Sequence, residues 1–284
     1  MSDKPEQRFD PLLPPEMARA CEKAGAAKAG RQTAALVILG ILAGAFIAFG
    51  AIFMTAVATG AGDIPWGVGR LLMGLVFSLG LILVIVGGAE LFTGDALMVV
   101  SYASGKITGA ALLRAWGLVY LGNIAGSVGT AALVFLSGQH GLAGGSVGKT
   151  ALAVATYKAS LGTVDLFFLA VLCNVLVCLA VWMSFGGRNV ADKVLVIVPP
   201  ITAFVAAGFE HSIANIYFLS YGLALKEWAQ PEFWAAISQD AAAYAGLTVS
   251  GAVHNILVAT AGNLVGGSLM VGVVYWFVYL RRPA

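Results

Sequence analysis

Five long stretches of the chain carry no Asp, Glu, Lys or Arg: Gln32–Gly62, Leu71–Ala89, Ala115–Gly148, Leu166–Gly187 and Ala241–Leu280, of 31, 19, 34, 22 and 40 residues. About 20 apolar residues cross the hydrocarbon core of a bilayer, so each run is long enough, or nearly so, to hold a membrane-spanning helix. Read in order, the apolar runs predict six spans, near Ala34–Thr59, Leu71–Ser101, Ala110–Ser137, Leu166–Phe185, Val194–Leu225 and Leu247–Leu280. The pattern predicts an all-α, polytopic membrane protein.

Two of these spans are interrupted. The second contains Gly87-Gly-Ala-Glu-Leu-Phe-Thr-Gly-Asp95 and the fifth Ala206-Ala-Gly-Phe-Glu-His-Ser-Ile-Ala-Asn215. A carboxylate among glycines and hydroxyls is costly in an apolar helix, and irregular backbone at membrane depth persists only where it is buried or lines a cavity. The two breaks share Gly-x-Glu (Gly88 to Glu90, Gly208 to Glu210), and the third and sixth spans share Gly-Asn-x-x-Gly (Gly122 to Gly126, Gly262 to Gly266). Spans one to three therefore repeat as spans four to six. Three is odd, so the halves, about 34–137 and 160–281, are read as inverted repeats, the arrangement in which paired broken helices mark a pathway.

Composition narrows the picture. Of 284 residues, 60% are apolar and 11% charged, against about 25% charged in soluble domains, which argues against a soluble enzyme. The net charge of +2 and the lack of a basic stripe give no sign of nucleic-acid binding. Cys21, Cys173 and Cys178 read as free packing residues, with no metal site and no cofactor. Twelve Lys and Arg fall on the side of the termini and four on the other, so both termini are expected in the cytoplasm. Residues 1–33 form a polar head in which a proline pair opens a short amphipathic helix over Met17–Arg31, expected on the membrane surface, with a gate or docking element as the alternative.

Among single residues, His211 stands out as a titratable group within a break, suited to hydrogen-bonding or exchanging a proton with a small anion. Glu90 and Glu210 are expected to accept freed backbone N–H groups, and Asn123 and Asn263 to brace the breaks across helices. Asp95 is expected as a solvated cap, Lys158 as a vestibule or snorkelling lysine, and His254 at the membrane interface. Phe77, Leu81, Leu91, Phe92 and Phe204 are bulky side chains near the breaks. No His-Glu-x-x-His or Gly-x-Ser-x-Gly occurs, so no catalytic residue is expected.

Glu90-Leu-Phe-Thr-Gly94, Gly122-Asn123, Cys178-Leu-Ala-Val-Trp-Met-Ser184, Gly208-Phe-Glu-His-Ser-Ile-Ala-Asn215 and Gly262-Asn263 closely resemble the formate/nitrite transporter family, most of all its formate-channel branch. The likeness extends from the Phe9-Asp-Pro-Leu-Leu-Pro head to the Pro231-Glu-Phe-Trp234 loop. It implies an aquaporin-like protomer with its own pore, a homopentamer in the bacterial inner membrane, and passage of formate or related small monovalent anions. Nitrite, hydrosulfide or a short-chain carboxylate is the alternative cargo, and a non-transporting scaffold a remote one. It further implies that His211 is the central histidine with Thr93 as its loop partner. Leu81, Leu91 and Phe92 would form a cytoplasmic constriction, with Phe77 and Phe204 narrowing the path further out. Lys158, Glu210 and Asn174 would make a polar network behind the outer vestibule. Two departures stand out: Asp95 replaces a neutral polar residue, and Val253-His-Asn255 resembles the nitrite branch.

Overall fold

The computed structural model describes residues 10–281; the first nine residues of the head, Phe9 of its motif among them, and Arg282 of the tail lie outside them. The chain is a bundle of helices: α1 (Pro14–Ala29), α2 (Thr33–Ala58), α3 (Trp66–Gly87), the short α4 (Phe92–Asp95) and α5 (Val99–Ala103), α6 (Gly109–Leu136), α7 (Ser146–Ser160), α8 (Thr163–Ser184), α9 (Val190–Ala207), α10 (Ser212–Trp228), α11 (Pro231–Ala236), α12 (Val249–Leu264) and α13 (Val274–Tyr279). Between α12 and α13 the last span runs as a π-helix, Val265–Val273. Six segments are long and apolar enough to cross a membrane. Large side chains on their outer faces, such as Leu133, Leu136 and Leu257, are mostly exposed, as a lipid-facing surface requires.

Glycines set two close helix crossings that correspond between the halves of the chain. A Cβ on Gly122 would lie 2.9 Å from the Cα of Gly40, and one on Gly126 would collide with the carbonyl oxygen of Ile41, so α6 meets α2 backbone to backbone. A Cβ on Gly262 would come within 2.5 Å of the Phe167 carbonyl oxygen and one on Gly266 would collide with that of Val171, so α12 and the π-helix meet α8 in the same way. Both glycines of each Gly-Asn-x-x-Gly motif are thus used for close approach, which lets packing stabilise helices already surrounded by apolar solvent.

Two elements differ from the sequence reading. Residues 146–160 form the helix α7, where only a connection was expected, and its buried face (Val147, Ala151, Leu152, Ala155, Lys158) packs on α10. The head helix α1 buries Met17, Ala18, Cys21, Gly25 and Ala29 against the protein itself instead of lying apart on the membrane surface. Its backbone comes close enough to α5 that a Cβ on Gly25 would collide with the Ser101 hydroxyl, and Ser101 Oγ donates to the Glu22 carbonyl at 2.6 Å.

Candidate functional site

Each break begins with a glycine at positive φ. α3 ends at Gly87, and Gly88 turns the chain at φ +78°; α9 ends at Ala207, and Gly208 does so at φ +80°. Left-handed backbone at no steric cost is what glycine supplies. The freed backbone groups are then satisfied in corresponding fashion. Glu90 N donates to Leu39 O (3.2 Å) and Glu210 N to Leu169 O (3.4 Å). Asn123 Oδ1 accepts from Phe92 N (2.9 Å) while its Nδ2 donates to Gly40 O and Glu90 O. Asn263 Oδ1 accepts from Ser212 N (2.9 Å) while its Nδ2 donates to Ala170 O and Glu210 O. A fully buried amide satisfying three backbone groups explains why Asn accompanies each Gly pair.

The side chains of Glu90 and Glu210 therefore have other work than accepting backbone N–H groups, which corrects that expectation. Glu210 Oε1 accepts from Lys158 Nζ (2.8 Å) and Oε2 from Asn215 Nδ2 (2.7 Å). Asn215 Nδ2 also reaches Asn255 Oδ1, and Asn255 Nδ2 donates to the Lys158 carbonyl, which closes a ring through α7, α10 and α12. At the other break Glu90 pairs with Arg31 and, at 2.6 Å, with Lys28. Asp95, five residues on, is 2% exposed and binds Lys28 at 2.5 Å, so it is a buried partner of the head helix and not a solvated cap. Burial pulls the Lys28 ammonium down, but Asp95 and Glu90 outweigh it and hold the group above its ordinary value.

His211 and Leu91 occupy the same place in the two breaks, one residue before α10 and α4. His211 is 3% exposed, its ring stacked 6.0 Å from Phe204. Its Nδ1 accepts from Ala214 N (3.1 Å) and its Nε2 lies 2.9 Å from Thr93 Oγ1. A backbone amide can only donate, so the bond network assigns the proton of a neutral ring to Nε2, which donates to Thr93. The Thr93 hydroxyl hydrogen is left to point elsewhere. Thr93 is itself held through its carbonyl by Asn174 Nδ2 (3.1 Å) and Cys178 Sγ (3.3 Å). The π-helix comes against that pair at Gly267, where a Cβ would collide with Asn174 Nδ2 and lie 2.7 Å from Cys178 Sγ.

Two cavities lie at opposite ends of α2 and α3. The far-side cavity, about 510 Å³, is walled by Trp66, Arg70, Phe77, Lys158, Phe204 and His211 among others. Arg70 there donates to the Val205 and Ala206 carbonyls that end α9. The head-side cavity, about 310 Å³, is walled by Lys28, Arg31, Glu90, Ser184 and Lys193 among others. Leu81 and Leu91, each 2% exposed, belong to neither wall, and Leu81 sits one turn of α3 from Phe77 in one direction and from Val84 of the head-side wall in the other. Phe77 and Phe204 meet edge to face at 5.6 Å, whereas Phe92 turns to Tyr120 and Trp116 of α6. His254 bonds Thr163 at 2.9 Å outside both cavities. The sequence reading missed Arg31, Asn215 and Asn255 as members of the networks; the position of Asn215, five residues after Glu210 as Asp95 is after Glu90, is the one signal that pointed to it.

Comparison with known proteins places this geometry. The family profile described as Formate/nitrite transporter matches residues 15–277. The formate channel FocA of Escherichia coli strain K12 is 42% identical over 280 residues, 98% of each chain, and that of Haemophilus influenzae is 41% identical over 92% of this chain and 93% of its own. Among solved structures, a pentameric formate channel with formate bound superposes with a TM-score of 0.84 at 42% identity, covering 88% of this chain and 98% of that one. An ion channel of the same family superposes with a TM-score of 0.78 at 28% identity, covering 93% and 98%. With two broken spans braced alike and a profile match over nearly its whole length, this multi-pass membrane protein belongs to the formate/nitrite transporter family.

Proposed function

We propose that the protein is a channel for formate and similarly small monovalent anions such as nitrite, a homopentamer of the bacterial inner membrane with one pore per protomer. The halves 34–137 and 160–281 are inverted repeats, the head 1–33 faces the cytoplasm with the C-terminus, and the pore runs from the far-side cavity past Phe77, Phe204 and His211 to Leu81 and Leu91, with Phe92 bracing the loop from behind. The observation that carries this reading is the His211–Thr93 pair, buried where the far-side cavity ends.

The chemistry follows from the cargo. A simple carboxylic acid has a pKa near ~4, so at pH 7 only about one molecule in a thousand is neutral, and unaided diffusion of the acid is slow. Lys158 and Arg70 make the far-side cavity attractive to the anion. At the apolar neck the ion loses water and needs donors in return: the Thr93 hydroxyl, and the His211 N–H when the anion replaces Thr93 as its acceptor. A proton held near the anion in this dry stretch would let it pass as the neutral acid, which couples flux to pH. Glu210, ringed by Lys158, Asn215 and Asn255, serves to hold Lys158 and α7 in place.

Uptake by proteoliposomes offered formate, nitrite, acetate, lactate and hydrosulfide in competition tests the reading. Formate is expected to pass and to be displaced by nitrite more than by lactate; absence of flux for all five overturns it.

A further inference from the structure

The cations around the two cavities are not equally engaged. On the far side Lys158 is bound to Glu210 and Arg70 to two carbonyls. On the head side Lys28 is shared by Asp95 and Glu90, and Arg31 is taken by Glu90. Lys193 walls the same head-side cavity, and among the described residues its ammonium has no hydrogen-bond or ion-pair partner. The carboxylate next to it, Asp192, is turned back on the chain, where it accepts from the Arg188 and Asn189 amides at 2.9 and 3.3 Å. Gly187 gives the lysine stem room: a Cβ there would lie 3.2 Å from Lys193 Cγ. Three cations of this wall thus answer two buried carboxylates, Glu90 in the wall and Asp95 outside it on Lys28, and the surplus charge belongs to Lys193.

We propose that Lys193 is the anion-receiving residue of the head-side cavity, holding a hydrated carboxylate or like monovalent anion over the loop of the first break before it meets Leu91. This rests on the channel reading. Asp95 sharpens the division of labour: by occupying Lys28, it leaves Lys193 as the uncommitted charge. A lone cation in a cleft with low-dielectric walls raises the local concentration of small anions, and the gain falls as salt screens it.

The test is formate flux through the full-length protein in planar bilayers or oriented proteoliposomes, with formate supplied from one face at a time. Lys193→Gln is expected to raise the half-saturating formate concentration from the head side about tenfold, to flatten its salt dependence, and to leave the far-side value unchanged, while Lys193→Arg keeps both values. Lys193→Cys gives a second route: an aminoethyl adduct at that thiol restores the head-side value and a sulfonatoethyl adduct depresses it further. Equal head-side values for wild type and Lys193→Gln, an equal shift from both faces, or indifference to the sign of the adduct overturns the inference and leaves the channel reading standing. A wild-type protein that passes no formate overturns the channel reading and this inference with it.

Discussion

Thr93 Oγ1 and His211 Nε2 lie 2.9 Å apart although 118 residues separate them in the chain. Each stands beside a break, so the hydrogen bond joins the two halves at the point where the backbone of both is irregular. Thr93→Val keeps the shape and removes the hydroxyl. Formate flux in proteoliposomes is expected to fall about tenfold, a loss of about 1.4 kcal/mol at the barrier, with Thr93→Ser close to wild type. His211→Phe is expected to change the pH dependence of flux as well as its size. A His211→Phe channel with the wild-type pH profile would sink the proton-coupled mechanism.

The seat of the head helix depends on Lys28. Lys28→Met leaves Asp95 a buried carboxylate without its cation, which destabilises the α1 contact by about 1–3 kcal/mol. Adding Asp95→Ser recovers much of that loss, whereas additive effects would show that the two do not interact. Cys21 reports the seat: it is 2% exposed, and burial, only partly offset by Lys28, pushes its thiol up to about 12. Alkylation in wild type should be slow and should climb about tenfold per pH unit from about pH 7 to about pH 9, since that window lies wholly below the raised value, and it should be faster at each pH in Lys28→Met. The Lys28 pKa is raised in the fold, so its contribution is whole at any pH below the ordinary lysine value near ~10.4 and fades only as pH climbs past the raised one. Lys28 itself therefore adds no pH dependence to the seat across that labelling window.

Gly126 and Gly129 lie three residues apart on α6 and should behave oppositely. Gly126→Ala drives a methyl into the α2 backbone and is expected to cost about 1–3 kcal/mol. Gly129→Ala meets nothing within 4 Å and should gain about 0.5–1 kcal/mol from helix propensity. Melting of the detergent-solubilised protein separates the two, and a stabilising Gly126→Ala would contradict the close crossing of α2 and α6.

The six spans, both breaks and their bracing residues were legible because each leaves a local mark: an uncharged run, a Gly-x-Glu, a Gly-Asn-x-x-Gly. What stayed hidden depends on partners distant in sequence. Asp95 looks like a polar loop end until Lys28, 67 residues upstream, is placed beside it. α7 escaped notice because the uncharged run Ala115–Gly148 passes straight into its first turn, and Lys158 then looked like a loop lysine. The π-helix left no trace in the pattern, since its side chains are as apolar as those of the α-helix around it.

That π-helix fixes how the last span can change length. Nine residues whose hydrogen bonds close over five positions instead of four carry surplus chain relative to a regular helix. Deleting one residue between 265 and 273 would remove that surplus and let the span relax to α-geometry, keeping the chain beyond it in phase while shifting the side chains inside the stretch. Tyr275, whose ring stacks 4.2 Å from Trp182, lies beyond the stretch and would keep its partner. Gly267, which the loop bearing Thr93 relies on for room, would lose its place beside Asn174 and Cys178. An insertion or deletion in this outwardly unremarkable stretch should therefore be felt at His211.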